Sequence, residues 1–137
     1  MSEENAVQQN VKFVVEGYAR FDAGERVPEL WFFTPDAEYH AAREDPDSAI
    51  HRGIDAVRHH YARWVESYPD LMVEPVEAKG KGDKVFLWVH FSGHGRESGA
   101  PAEGELAHVL TMRDGKVARI AEYSDRQEAL EAAGLRE

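Results

Sequence analysis

Near the start of the chain Val7, Val11, Val14, Tyr18 and Phe21 follow one another at steps of four and three, the spacing of one helical face. The pattern predicts a helix over residues 2–23, with Ser2 as its N-cap, Glu3 and Glu4 at the positive end of its dipole, and Gly24 as its stop. A second, shorter helix is predicted from Pro28, a residue tolerated at a first helical position, carrying Leu30 and Phe33 inward and ended by Pro35-Asp36. Residues 37–41 read as a short strand, and 43–48 as a charged loop, bordering a pocket, that leads to Gly53. Ile54, Val57, Tyr61, Trp64, Val65 and Tyr68 return to helical spacing, and Pro69 closes this third helix.

The rest of the chain reads as strands. Residues 71–78 form one, a Lys/Gly turn follows at 79–83, and residues 84–94 alternate Val85, Leu87, Val89 and Phe91 with Phe86, Trp88, His90 and Ser92. Both faces of that strand are apolar, so its second face is expected to be covered by another part of the chain or by another subunit. Residues 103–113 and 116–125 form a hairpin about Asp114-Gly115, and 127–133 a final helical turn or two ending at Gly134.

The hairpin register matters for the polar residues it carries. A two-residue turn at Asp114-Gly115 alone would send His108 and Glu122 to opposite faces. A three-residue loop with Gly115 left-handed in a bulge sets Met112 opposite Lys116 and His108 opposite Ile120, with Glu122 on the diagonal, about 7–8 Å away. The second register is favoured because it gathers Leu106, Leu110, Met112, Ala118 and Ile120 on one inward face, and a slip of one residue would undo the arrangement.

Composition narrows the partners. The 137 residues suit one domain spanning 1–137, a size that buries roughly two-thirds of the unfolded surface. A formal charge of −10 repels phosphate backbones and anionic membranes, so no nucleic acid and no membrane partner is expected. The chain has no cysteine, which removes disulfides, thiol catalysis and thiolate-bound metal. Residues 1–5 lack the basic and apolar pattern of a signal peptide, no stretch approaches the ~20 apolar residues of a membrane helix, and the expected location is cytoplasmic.

Several phrases carry a family likeness. Tyr18-Ala19-Arg20-Phe21-Asp22-Ala23-Gly24, the run 30–39, and Arg113-Asp114-Gly115-Lys116 followed by Ile120-Ala121-Glu122-Tyr123 resemble the SnoaL-like branch of the nuclear-transport-factor-2-like superfamily. That branch includes polyketide cyclases and ketosteroid-isomerase relatives. The resemblance covers nearly the whole chain and implies an α+β fold: a cone-shaped, curved antiparallel sheet wrapped on three N-terminal helices, a cystatin-like α+β barrel, with a short C-terminal helix. In ketosteroid isomerase a neutral carboxylic acid on the equivalent strand donates a hydrogen bond to the substrate oxygen, and its position falls on His108. In SnoaL-like cyclases and related epoxide hydrolases a carboxylate on the last strand acts as base, and its position falls on Glu122. The isomerase's own base and first-helix tyrosine fall on Ala41 and Gly17, so steroid isomerisation is not implied. Epoxide hydrolysis is not implied either, because residues 84–94 lack the family's Arg-x-Asp pair.

His108 and Glu122 are therefore the candidate catalytic pair. A Glu122 carboxyl in an apolar wall would titrate above its usual ~4.3 and a desolvated His108 below ~6.5. Such a base and donor would support proton abstraction beside a carbonyl, as in cyclisation or isomerisation. The competing reading has the two residues satisfying each other in a filled core. Tyr18, Tyr39 and Trp64 lie on inward faces by spacing and Trp31 beside them, with Val89, Phe91, Leu110 and Ile120 as apolar lining and Arg43 reaching in from the loop as an anion contact. No metal is expected: His59 and His60 diverge on a helix, and His90 and His94 lie about 13 Å apart along a strand. No cofactor is implied. Phe86, Trp88 and His90 mark an outer face for a homodimer, and the expected ligand is a small, mostly apolar organic molecule, either chemically changed or only held.

Overall fold

The protein, described by a computed structural model over residues 2–44 and 49–136, is built on one six-stranded sheet with three helices. Helix α1 (Glu3–Asp22) forms as its pattern predicts. The Ser2 hydroxyl accepts from the Asn5 amide at 3.1 Å, and Val14 and Tyr18 are its buried positions. Gly24, at φ +120°, turns the chain away.

The helix expected from Pro28 is a single turn. The Phe32 and Phe33 amides both donate to the Glu29 carbonyl, at 3.1 and 3.0 Å, and the chain then extends into β1 (Phe33–His40). Tertiary packing overrides the local signal. The Phe32 ring lies where a side chain on Gly17 would stand, 2.2 Å from an ideal Cβ there, and the Val117 amide donates to the Phe32 carbonyl at 2.8 Å. Leu30, expected inward, is 43% exposed. A short strand that the pattern did not announce, β2 (Ile50–Arg52), follows the loop, of which residues 45–48 lie outside the described residues. Helix α2 (Ile54–Ser67) runs as expected, with Val57 and His60 buried.

Strands β3 (Met72–Lys81), β4 (Lys84–His94), β5 (Pro101–Arg113) and β6 (Lys116–Tyr123) form an antiparallel meander. The complete order is β2-β1-β6-β5-β4-β3. Because β1 runs parallel to β6, the sheet is mixed rather than wholly antiparallel, and β2 and β3 remain as open edges. Register shifts between Phe33 and Glu38, where Pro35 has no amide to donate. The β3 edge is blunted by Pro75 and by a bulge before Glu77, which discourage a further strand from pairing there.

Helices α1 and α2 cover one face of the sheet, and between them lies the main core of Val14, Val57, Leu87, Leu110 and Ile120 with their neighbours. The opposite face is covered by the chain's own C-terminal helix, α3 (Arg126–Ala132). Ala129, Leu130 and Ala133 pack with Phe86, Ala107 and Val109, leaving Phe86 0% exposed, while Arg126 reaches the Glu77 carboxylate at 2.7 Å. The C-terminal helix is the one expected over 127–133, and of the three N-terminal helices expected two form, the segment from Pro28 being the single turn.

Candidate functional site

The hairpin between β5 and β6 sets the site. Asp114 (φ +53°) and Gly115 (φ +76°) form a two-residue turn with both positions left-handed, so Arg113 stands opposite Lys116 and Met112 opposite Val117. The ladder then skips Ala118: Thr111 pairs with Arg119, Leu110 with Ile120, and His108 with Glu122. Neither register weighed from the sequence is the one found. The turn has two residues, and a bulge at Ala118 restores the shared face that such a turn alone would have destroyed. Val117, 0% exposed, takes the inward position expected of Ala118. His108 faces Glu122 directly rather than on the diagonal.

Around this pair the elements deliver a connected set of polar groups. The His108 Nε2 lies 3.9 Å from Glu122 Oε2, too far for a hydrogen bond. Tyr39, from β1, donates its hydroxyl to Glu122 Oε2, and the Ala42 amide donates to Oε1 at 3.1 Å. Tyr18, from α1, meets His108 Nδ1 at 2.6 Å. Side-chain exposure is 8% for His108 and 14% for Glu122, so the site is sheltered but not sealed.

Charge and tautomer follow from that enclosure. Burial lowers the His108 pKa to about 4, so the imidazole is neutral at pH 7 and its approach to Glu122 is not an ion pair. Burial, with the Glu122 carboxylate nearby, raises the Tyr18 and Tyr39 phenols, which keeps both as O–H donors. Among the described residues Tyr18 has one hydrogen-bond partner, His108 Nδ1, and donating there puts the imidazole proton on Nε2. The other tautomer would leave the Tyr18 proton without an acceptor and aim a nitrogen lone pair at a carboxylate. His108 therefore presents an N–H toward Glu122, and among the described residues that N–H has no hydrogen-bond partner.

The other residues singled out from the sequence divide into three groups. Val89, Leu110 and Ile120 are buried in the core beneath the pair, and Phe91 is partly buried, its ring lying over Gly104. Trp31 and Trp64 are on the outside, 36% and 42% exposed; Trp31 is covered by the Arg20 guanidinium and Trp64 stacks on Tyr68. Arg43 points away as well, its side chain 79% exposed and paired with Glu128 at 3.1 Å. Helical spacing assigns a face, but it does not say how far the opposing sheet extends beneath it.

Three participants were not singled out. The Ala42 amide carries no side-chain signal. His60 stacks between Tyr39 and His51, with ring centroids 4.4 and 4.3 Å away, and Tyr61 packs against Tyr39. Tyr61 was on the inward face of its helix by spacing, and that was the signal available. Two concavities lie elsewhere: a groove of about 880 Å³ along the outer face of α2, touched by Arg26, Arg58 and Arg96, and one of about 540 Å³ beside Lys81 and Leu135. Neither reaches His108 or Glu122. Among the described residues no helix is long and apolar enough to cross a membrane, and no three His, Asp or Glu side chains converge as metal ligands do.

The sheet order, the helix placement and the hairpin pair can be set against known proteins. The SnoaL-like domain profile matches residues 14–120. The chain belongs to the SnoaL-like family. That match ends two residues before Glu122, so the carboxylate is placed by the hairpin geometry and not by the profile. Among solved structures, the SnoaL-like chain is similar to a protein of Jannaschia sp. CCS1 named for SnoaL-like polyketide cyclases, at 20% identity over 96% of this chain and 95% of that one, with a TM-score of 0.71. It is similar to an NTF2-like protein of Burkholderia xenovorans LB400, at 25% identity over 93% and 96%, TM-score 0.69. A third is a protein of Catenulispora acidiphila DSM 44928 with a ketosteroid-isomerase-like fold, in complex with trimethylamine, at 21% identity over 90% and 93%, TM-score 0.70. No curated protein matches the chain at the level of sequence. These likenesses establish the NTF2-like α+β fold, and a shared fold does not carry a shared reaction.

Proposed function

We propose that this SnoaL-like protein holds a small, mostly apolar carbonyl compound between α1, α2 and the sheet and moves a proton on it, Glu122 acting as base and His108 as hydrogen-bond donor. The observation that carries the reading is the unused Nε2–H of a buried, neutral His108, 3.9 Å from a carboxylate that Tyr39 and the Ala42 amide hold in place. A carbonyl oxygen accepting from Nε2 would set its α-carbon against Glu122 Oε2. The carboxylate takes the α-proton, the C–H electron pair becomes the enolate, and the developing oxyanion is held by the His108 N–H, itself polarised by Tyr18. Return of the proton to another carbon is an isomerisation, and attack of the enolate on a second carbonyl is a cyclisation. The rings of Tyr18 and Tyr39 pack against His108, so a substrate enters by displacing one of them.

The test is solvent deuterium incorporation into 2-tetralone, an apolar ketone with an acidified carbon, followed by NMR. The wild type accelerates exchange, and Glu122→Gln keeps the fold and the ligand-induced shifts while losing the acceleration. Shifts without exchange in the wild type would leave a binding protein and remove the enzyme.

A second reading, a non-catalytic ligand-binding or dimerisation module with a filled cone, is favoured by one fact: both Glu122 oxygens already accept hydrogen bonds within the chain. As part of either reading we propose a homodimer through the outer sheet face that α3 leaves open. Phe86 is covered by the chain's own helix, so Trp88 and His90 remain, beside Glu103 and Glu105. A two-fold interface brings those acidic residues near their own copies, and association should strengthen with salt in sedimentation velocity. A monomer at every salt concentration would remove the dimer.

A further inference from the structure

Three tyrosine rings gather around Glu122, and two of their hydroxyls are spoken for: Tyr39 donates to the carboxylate and Tyr18 to His108. The third belongs to Tyr61. Its ring is held edge-on against Phe21, Phe33 and Tyr39, at centroid distances of 6.0, 6.1 and 5.7 Å, and packs on the main core. Among the described residues its hydroxyl makes no hydrogen bond. Yet no buried side-chain nitrogen or oxygen among them lacks a partner. The unbonded Tyr61 hydroxyl therefore keeps accessible surface, and so does the unbonded His108 Nε2. The phenol is nonetheless deep enough that burial, and after it the Glu122 carboxylate, raise its pKa well above the usual 10. With no acceptor among the described residues and some accessible surface kept, the phenol is left to donate to water or to a ligand that displaces it.

We propose that Tyr61 is a specificity-determining residue whose hydroxyl donates to a second oxygen of the ligand, so that the site selects compounds bearing two acceptor oxygens, one for His108 Nε2–H and one for Tyr61 O–H. This inference rests on the ligand-site reading above but not on catalysis. Tyr39 and the Ala42 amide already supply the hydrogen bonds to the two Glu122 oxygens, which leaves the His108 N–H and the Tyr61 O–H for a ligand. A monoketone satisfies one of them and leaves the other desolvated and unpaired.

The experiment uses two unreactive probes, 2,2-dimethylcyclohexane-1,3-dione and 2,2-dimethylcyclohexanone, titrated into the isotope-labelled full chain and followed by NMR. Wild type is expected to bind the diketone about tenfold more tightly than the monoketone, the worth of one added hydrogen bond. Tyr61→Phe, with an unchanged melting temperature, should bring the diketone down to the monoketone's affinity and leave the monoketone where it was. Equal diketone affinity in wild type and Tyr61→Phe, with loss of binding in His108→Gln, would overturn the role of Tyr61 while keeping the ligand site. Failure of both probes to bind would overturn the two together.

Discussion

His108 should make the stability of this fold depend on pH in a window of its own. Burial holds its folded pKa at about 4, against an ordinary 6.5 when the chain is unfolded. Between those values the unfolded state binds a proton that the folded state refuses, so acid favours unfolding. The stability contributed by keeping this imidazole neutral is complete above pH 6.5, falls as the pH drops, and is exhausted below about pH 4. A separation of about 2.5 units at about 1.36 kcal/mol each sets the whole loss at roughly 3 kcal/mol. With the residue 6% exposed, solvent screening takes little from that figure. Asp36, Glu38, Asp70 and Glu77 are held below their ordinary values by Arg113, His40, His94 and Arg126 respectively, so their contributions are lost only as pH falls below the usual carboxylate range. Asp22 is the exception, raised by its burial and so acting in the opposite sense as pH falls, but it is common to wild type and variant, and the difference between the two from pH 6.5 down to about 4.5 reports His108. Urea unfolding at half-unit steps across it should show the wild type losing stability with a slope near one proton, and His108→Gln, whose amide does not titrate, should lose that slope. A flat wild-type profile, or an unchanged slope in the variant, would refute the burial argument.

Two further predictions follow from the same contacts. Tyr39→Phe removes one of the two donors on Glu122 and should cost about 1.5–3 kcal/mol, read by urea or thermal unfolding; a loss below about 0.5 kcal/mol would mean that water replaces the hydroxyl. Leu130→Ala, at a fully buried position of α3, should cost about 2–5 kcal/mol and loosen the cover over Phe86, visible as increased binding of an apolar dye. Unchanged dye binding would show that α3 stays docked through Arg126 and Glu77.

The helical pattern of the chain was legible because α1 and α2 each bury one face at regular spacing, with caps and prolines at their ends. The short helix expected from Pro28 was not, because what decides that segment is Phe32 lying on Gly17 and pairing with Val117, far away in sequence. The parallel pairing of β1 with β6 has the same origin: it joins residues about eighty positions apart and leaves no local trace. The site was half legible. His108 and Glu122 were picked out by their places on two strands, and Tyr18 and Tyr39 by inward spacing. Ala42 contributes through its backbone, and a backbone amide has no sequence signature at all.

The bulge at Ala118 shows why the register itself could not be read. In Lys116-Val117-Ala118-Arg119 both central residues are apolar and small enough to face either way, so alternation gives no preference. The turn chemistry was explicit: Asp-Gly with both positions left-handed asks for two residues, and that turn alone pairs Arg113 with Lys116 and carries His108 and Glu122 to opposite faces. The demand of the turn and the demand of the core are both met only if one residue is left over between them. Ala118 is that residue, and its unpaired place in the ladder lets Val117, Ile120 and Glu122 all face inward. The fold and the candidate site thus hang on the same local compromise. A turn that satisfied itself without the bulge would turn both Ile120 and Glu122 toward the α3 side, and the chain would lose its core contact and its carboxylate together.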